Sequence, residues 1–165
     1  MNITNLNLIR QRLLGIILIN MLALVSPAAV SDEVMNKDAA SGIALHGIDV
    51  ISYRGLERNP WGEPSVGDKT FPVTYKGATW IFGSQESADK FKANPEGFAP
   101  AYNGYCANAL SIGNGLLATS GKIWEIFGNE LHVFYAPRGR KRWVNGDWKK
   151  FKIDADAAWA ELKHK

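Results

Sequence analysis

Alternating apolar and polar positions predict a β-hairpin in the middle of the chain. Residues 70–75 and 78–82 form two strand-like runs, which a tight turn at residues 75–78 separates. Both faces of the 78–82 run carry apolar side chains, so we expect this strand to be central in a sheet. Residues 50–54 have the same strand-like pattern and predict an additional strand of that sheet.

A second hairpin is predicted at residues 122–135. Its two-residue loop, Gly128–Asn129, begins with glycine and suits a type II′ turn. The resulting register has the cross-strand pairs Ile123–Phe134, Trp124–Val133, Glu125–His132 and Ile126–Leu131. We interpret His132 as the partner of a carboxylate across the strands rather than as a metal ligand.

Cap residues and apolar periodicity predict short helices around these hairpins. Ser84 is a good N-cap for a helix that Pro95 ends, and Pro137 opens a basic helix. A short helix is predicted over residues 104–111, and a last helix begins at Asp154. Together these elements predict an α+β fold: a small antiparallel sheet of hairpins with short helices packed on it.

Residues 1–31 have the pattern of a signal peptide. Two arginines precede an apolar run at residues 13–25, and small residues allow cleavage after Ala28 or Ser31. The apolar run is shorter than the roughly 20 residues that span a bilayer. We therefore expect a periplasmic or secreted protein that meets the membrane only through this segment, before cleavage.

Without residues 1–31 the chain is close to neutral, so it is not a strongly basic protein. Residues 32–165 are long enough for a single domain with its own core. Without the two arginines of the signal segment, 17 basic side chains face 16 acidic ones. This near-neutral balance gives no support for a nucleic-acid partner.

Cys106 is the only cysteine, so the fold has no internal disulfide. A single thiol in an exported protein is a candidate for metal binding or for covalent reactivity, and its structural alternative is a buried small hydrophobe. Phosphate-binding glycine loops and the HExxH, GxSxG and CxxC motifs are absent from the sequence.

Three consecutive motifs give the chain a family resemblance. They are Tyr75-x-Gly77-x-Thr79-Trp80-x-Phe82, Phe91-x-x-Asn94-Pro95 and Phe98-Ala99-Pro100. In these motifs the chain resembles the YHS domain family. The lead-in at residues 47–53 and the loop at residues 102–107 look like the exported, stand-alone subgroup, and this wider likeness covers roughly residues 40–162.

The resemblance implies metal handling, but through a different residue from the one many relatives use. Many YHS and related domains carry cysteines just after the aromatic strand, where this chain has Gly83 and Ser84. The thiol that remains is Cys106, with His46 and Asp49 as polar neighbours. We expect Cys106 and His46 to bind a soft metal such as copper, with Asp49 as a third ligand or as the partner that orients the imidazole.

Two alternatives stay open beside the copper site, and catalysis is the less favoured outcome. A thiol enzyme would use Cys106 as nucleophile and His46 as base. A non-catalytic module would bind a small ligand or a periplasmic protein, for which the six tryptophans, Trp61 among them, supply aromatic surface. His46 as a loop residue and Asp49 as a turn cap are the corresponding structural interpretations.

Overall fold

Four strands and six helices make up the α+β fold of residues 34–59 and 61–163, the part of the chain that the computed structural model describes. The strands are β1 (Asp68–Tyr75), β2 (Ala78–Phe82), β3 (Ile123–Phe127) and β4 (Glu130–Phe134). The helices are α1 (Ser52–Gly55), α2 (Gln85–Ala93), α3 (Pro95–Phe98), α4 (Ala107–Ser111), α5 (Pro137–Asn145) and α6 (Trp148–Leu162). Two 3₁₀ turns, Leu45–Gly47 and Ala101–Gly104, complete the elements.

The predicted signal segment, residues 1–31, lies outside the described residues. Among those that are described, no helix has the length and apolar character needed to cross a bilayer.

The fold class is confirmed, but the expected single sheet is replaced by two separate ones. Strand β1 pairs only with β2, and β3 pairs only with β4, both antiparallel. On its other edge β2 has an isolated parallel bridge, between Thr79 and Ile43, and no further strand of the described residues, although Ala78, Trp80 and Phe82 are buried. Helix α2 and the first 3₁₀ turn pack against β2 and supply the burial that we expected from a further strand.

The strand predicted at residues 50–54 is wrong, because this segment forms a turn and helix α1. The side chain of Asp49 accepts a hydrogen bond from the backbone N–H of Ile51 at 2.9 Å. The Asp49 carbonyl accepts a second one from Ser52 N at 3.0 Å. These two bonds form a local turn that leads into α1, and this turn outweighs the β propensity of Val50 and Ile51.

The second hairpin has the predicted register, with Glu125 opposite His132 and the other three pairs as expected. Its loop differs in type: Gly128 and Asn129 have φ of 58° and 71°, the two positive values of a type I′ turn. The carboxylate of Glu125 is bound by Arg140 instead of the imidazole.

The predicted helix start is confirmed where the sequence offers a single N-cap residue. The Ser84 hydroxyl accepts from Ser87 N at 3.1 Å, and α2 ends before Pro95. Helix α6 instead begins earlier than predicted, because Asp147 and not Asp154 accepts the capping bond, from Lys150 N at 3.1 Å.

Two apolar clusters form the core, and the β3–β4 hairpin lies between them. One face of the hairpin, with Trp124, Leu131 and Val133, packs into the cluster around β1, β2 and α2. The other face, with Phe127 and Phe134, packs into the cluster around α4, α5 and α6. Period-two alternation along both strands therefore serves two cores at once.

Candidate functional site

Cys106 lies at the start of α4, where it is the N-cap residue. We predicted a helix over residues 104–111 with this cysteine inside its first turn; the observed helix begins one residue after it. The side chain points inward as predicted, and the residue is 3% exposed. Its backbone N–H donates to the carbonyl of Leu117 at 2.9 Å, which ties the loop after α4 back over the cysteine.

A recess of about 170 Å³ opens onto Cys106 between α4, the loop after it and the start of α5. The residues that line this Cys106 recess are Cys106, Asn108, Ala109, Ile112, Asn114, Leu117, Tyr135, Ala136, Arg138 and Gly139. Ile112, Leu117 and Tyr135 are exposed, at 48%, 38% and 61%. The recess thus has Cys106 among its lining residues and an apolar rim in contact with solvent.

Two polar groups of the recess define what it can hold. The backbone N–H of Tyr135 donates to Cys106 Sγ at 3.3 Å. The guanidinium of Arg138, at the start of α5, gives the recess a positive charge. A bound group with an apolar body and an anionic end would match both the rim and this cation.

The recess is held open by close contact between α4 and α5. Gly139 allows this approach, since a Cβ there would lie 3.0 Å from Asn108 Cβ. Arg142 then locks the two helices together by donating to Asn108 Oδ1 and Ser111 Oγ, each at 3.0 Å. Arg142 thus binds within the fold, which reduces the free basic surface of α5.

The structure does not place His46 or Asp49 in the Cys106 recess. His46 is an exposed residue of the first 3₁₀ turn, with φ of 53°. Asp49 is 4% exposed, and its two carboxylate oxygens accept from Ile51 N and Gly83 N at 2.9 Å each. Both carboxylate oxygens of Asp49 therefore accept hydrogen bonds that join its own turn to the end of β2.

The three-residue ligand set expected from the sequence is not assembled in the structure. Within residues 34–59 and 61–163, no group of three or more His, Cys, Asp and Glu side chains is placed to hold a metal ion. Cys106 is the one residue of the expected set that lines the recess.

Trp61 does not line the Cys106 recess and lies on the surface instead. The residue is 74% exposed, and the guanidinium of Arg140 lies 4.1 Å from its ring centroid. Sequence reasoning missed Leu117, Tyr135 and Arg138 as neighbours of Cys106. The sequence signal for these neighbours was the apolar run at residues 115–118, which lies in a glycine-flanked loop where apolar side chains are not expected.

Comparison with known families agrees with the motifs. Residues 59–102 match the family model of the YHS domain. The matched segment begins before β1 and ends within the second 3₁₀ turn. Neither the curated proteins nor the solved structures contain a match to the chain. Cys106 lies just beyond the matched residues, so the match by itself assigns it no role.

Proposed function

We propose that the protein is an exported, non-catalytic YHS-domain binding protein that holds a small ligand or a protein partner at the Cys106 recess. The observation that carries this proposal is the exposed apolar rim of Ile112, Leu117 and Tyr135 around a concave site. Exposed apolar side chains that gather at a recess are typical of binding surfaces.

Export to the periplasm or the medium rests on the charged, apolar and small-residue pattern of residues 1–31. Cell fractionation and intact-mass measurement of the mature chain test it. We expect an exported product that begins after Ala28 or Ser31. A cell-associated chain with its N-terminus intact would contradict export.

Binding is favoured over catalysis because the recess gives Cys106 no general base. A thiol nucleophile needs a base within hydrogen-bond reach and a group that orients the base. Among residues 34–59 and 61–163, no His, Asp or Glu lines the recess, and the sulfur accepts from the N–H of Tyr135.

Disulfide exchange with a library of small disulfide-bearing fragments, in which Cys106 displaces one thiol of the fragment, tests the recess directly. Under partly reducing conditions, we expect Cys106 to retain apolar fragments that carry a carboxylate. The Arg138→Gln variant should lose the preference for the carboxylate, and Lys141→Gln, on the same helix but outside the recess, should keep it. If the folded and urea-unfolded proteins select the same fragments, the recess is not a binding site.

A soft metal is the second candidate ligand, because Cys106 is one of the residues that line the recess. Thiolate ligands suit Cu(I), and metal handling is what the family resemblance implies. The recess lining does not fit a self-sufficient metal site, since it offers one thiol with no imidazole or carboxylate. A Cu(I) ion at Cys106 would require a further donor from a small thiol or a partner.

Anaerobic Cu(I) titration against a chromophoric chelator tests this second candidate. If copper is the ligand, then with a small thiol present as the further donor the unmodified protein takes up one Cu(I) and the Cys106→Ala variant takes up none. The His46→Ala variant should bind as the unmodified protein does, because His46 is outside the recess. Equal uptake by the Cys106→Ala variant would remove the copper hypothesis.

A further inference from the structure

A second cleft lies on another part of the surface, between the second 3₁₀ turn, the β3–β4 loop and α6. It has a volume of about 350 Å³ and shares no lining residue with the Cys106 recess. The residues that matter for its chemistry are Tyr102, Asn129, Glu130, Lys152, Asp156 and Trp159. We refer to it as the Tyr102 cleft.

Polar groups of the Tyr102 cleft are held in fixed positions by one another. Lys152 Nζ donates to Asp156 Oδ2 at 2.9 Å and to Glu130 Oε2 at 3.2 Å. The hydroxyl of Tyr102 donates to Asp156 Oδ1 at 2.9 Å. Burial opposes the charge on Lys152, but the hydrogen bonds that Lys152 donates to Asp156 and Glu130 outweigh burial and raise the pKa of the ammonium group. The donors and acceptors of the cleft are thus preorganised.

A fully buried imidazole lies behind this polar network. His132 is 0% exposed, and its Nδ1 lies 3.0 Å from the carbonyl of Glu130. Its Nε2 faces the Glu130 carboxylate at 3.9 Å, and has no hydrogen-bond partner among the described residues. Buried polar atoms are nearly always hydrogen-bonded in native proteins. The carbonyl of Glu130 accepts from Nδ1–H, so Nε2 of the neutral imidazole is an acceptor that the Glu130 carboxylate cannot satisfy.

Charges of both signs line the cleft, with Lys76 and Lys152 against Glu96, Glu130 and Asp156, so the cleft does not favour a strongly charged ligand. The ammonium of Lys152 already lies between the carboxylates of Glu130 and Asp156. An anionic ligand would meet these two carboxylates, and a cationic ligand would have to displace Lys152 from them. A neutral ligand with several hydroxyl groups can instead donate to the carboxylates and accept from the lysine without breaking a charge pair.

Aromatic surface supplies the apolar contact that such a ligand needs. The rings of Tyr102 and Trp159 lie in edge contact, with centroids 6.1 Å apart, and both line the cleft. The volume is at the small end of the roughly 300–1,000 Å³ of ligand sites. We propose that the Tyr102 cleft binds a neutral, polyhydroxylated small molecule of the size of a mono- or disaccharide.

The experiment uses the full exported chain and a panel of neutral mono- and disaccharides, with amino sugars and uronic acids of the same ring size as charged probes. The readout is the indole N–H signal of Trp159 in NMR spectra, assigned with the Trp159→Phe variant. We expect at least one neutral sugar to shift this signal saturably. We expect its affinity to fall at least tenfold in the Asp156→Asn and Glu130→Gln variants.

Helix α6 offers a matched control for these variants. Asp154 forms the same i,i+4 ion pair with Lys150, at 3.0 Å, but neither residue lines the cleft. The Asp154→Asn variant should therefore bind as tightly as the unmodified protein. Glu130→Gln alters an exposed residue, so it keeps the test valid if Asp156→Asn fails to fold. The proposal is overturned if no neutral sugar shifts the Trp159 signal, if Asp154→Asn weakens binding equally, or if only charged sugars bind.

Discussion

Replacing Arg140 by methionine should destabilise the fold more than the same change at any exposed cation of α5. Arg140 is 5% exposed. Its Nε donates to the carbonyl of Trp124 at 2.9 Å, and its Nη2 binds the carboxylate of Glu125. Methionine keeps much of the apolar volume but leaves a buried carbonyl and a half-buried carboxylate without their donor.

The size of this effect follows from what each group loses. Removing one partner of a buried ion pair costs about 3–5 kcal/mol, and losing a hydrogen bond to a charged group costs about 1.5–3 kcal/mol. The side chain of Glu125 is 18% exposed, so water can partly solvate the carboxylate that remains. We therefore expect a loss of about 2–4 kcal/mol in the free energy of unfolding. For a domain of this size, that corresponds to a fall in Tm of roughly 10 °C.

Urea unfolding followed by tryptophan fluorescence measures the change. Arg138→Met is the control, since Arg138 is exposed on the same helix and should change stability by less than about 0.5 kcal/mol. The double variant Arg140→Met/Glu125→Leu should be more stable than Arg140→Met alone, because it removes the stranded charge as well. Equal stability of Arg140→Met and Arg138→Met, or simple additivity in the double variant, would refute the reasoning.

Three further predictions concern the core. Burial lowers the pKa of His132, so as the pH falls the imidazole is protonated in the unfolded chain before it is protonated in the folded one. The free energy of unfolding should therefore be highest above a pH of about 6.5 and decrease below it. The His132→Gln variant should reduce this dependence on pH. In Gly139→Ala the new Cβ lies 3.0 Å from Asn108 Cβ, so urea unfolding should show a loss of about 1–3 kcal/mol. The hydroxyl of Tyr53 donates to the Gly121 carbonyl at 2.7 Å inside the core, so Tyr53→Phe should cost about 1–3 kcal/mol in the same assay.

Each of these three predictions has a distinct opposing result. An unchanged pH slope in His132→Gln would mean that other groups control the acid sensitivity. A neutral Gly139→Ala would show that α4 and α5 can separate without cost. If Tyr53→Phe is as stable as the parent, the Gly121 carbonyl has another donor.

The elements that could be predicted from sequence are those whose signals lie within a few residues. The two-residue loop Gly128–Asn129 fixes the register of its hairpin, since strand pairing must start from it. Ser84 caps its helix for the same local reason. At the start of α6, Asp147 and Asp154 are both acceptable caps by residue type, and only the packing of Trp148 and the turns that follow decides between them.

The surroundings of Cys106 could not be predicted, because they come from separate segments of the chain. The recess beside Cys106 includes Leu117, Tyr135 and Arg138. These residues come together only once the loop after α4 and the start of α5 have packed against each other. Asp49 shows the same limit in another form. A carboxylate near a turn can bind a metal ion or accept a hydrogen bond from a backbone N–H. The sequence does not show that the backbone nitrogen of Gly83 lies 2.9 Å from the Asp49 carboxylate.

The position of the β3–β4 hairpin between the two apolar clusters has a consequence for what can fold by itself. The match to the YHS family ends at residue 102, before the hairpin begins. A fragment trimmed to the matched residues would lose Trp124, Leu131 and Val133, and would leave the aromatic side chains beneath them open to water. We therefore expect the cooperative unit of this chain to be larger than the segment that matches the family model, because the hairpin and the matched segment bury each other's apolar side chains.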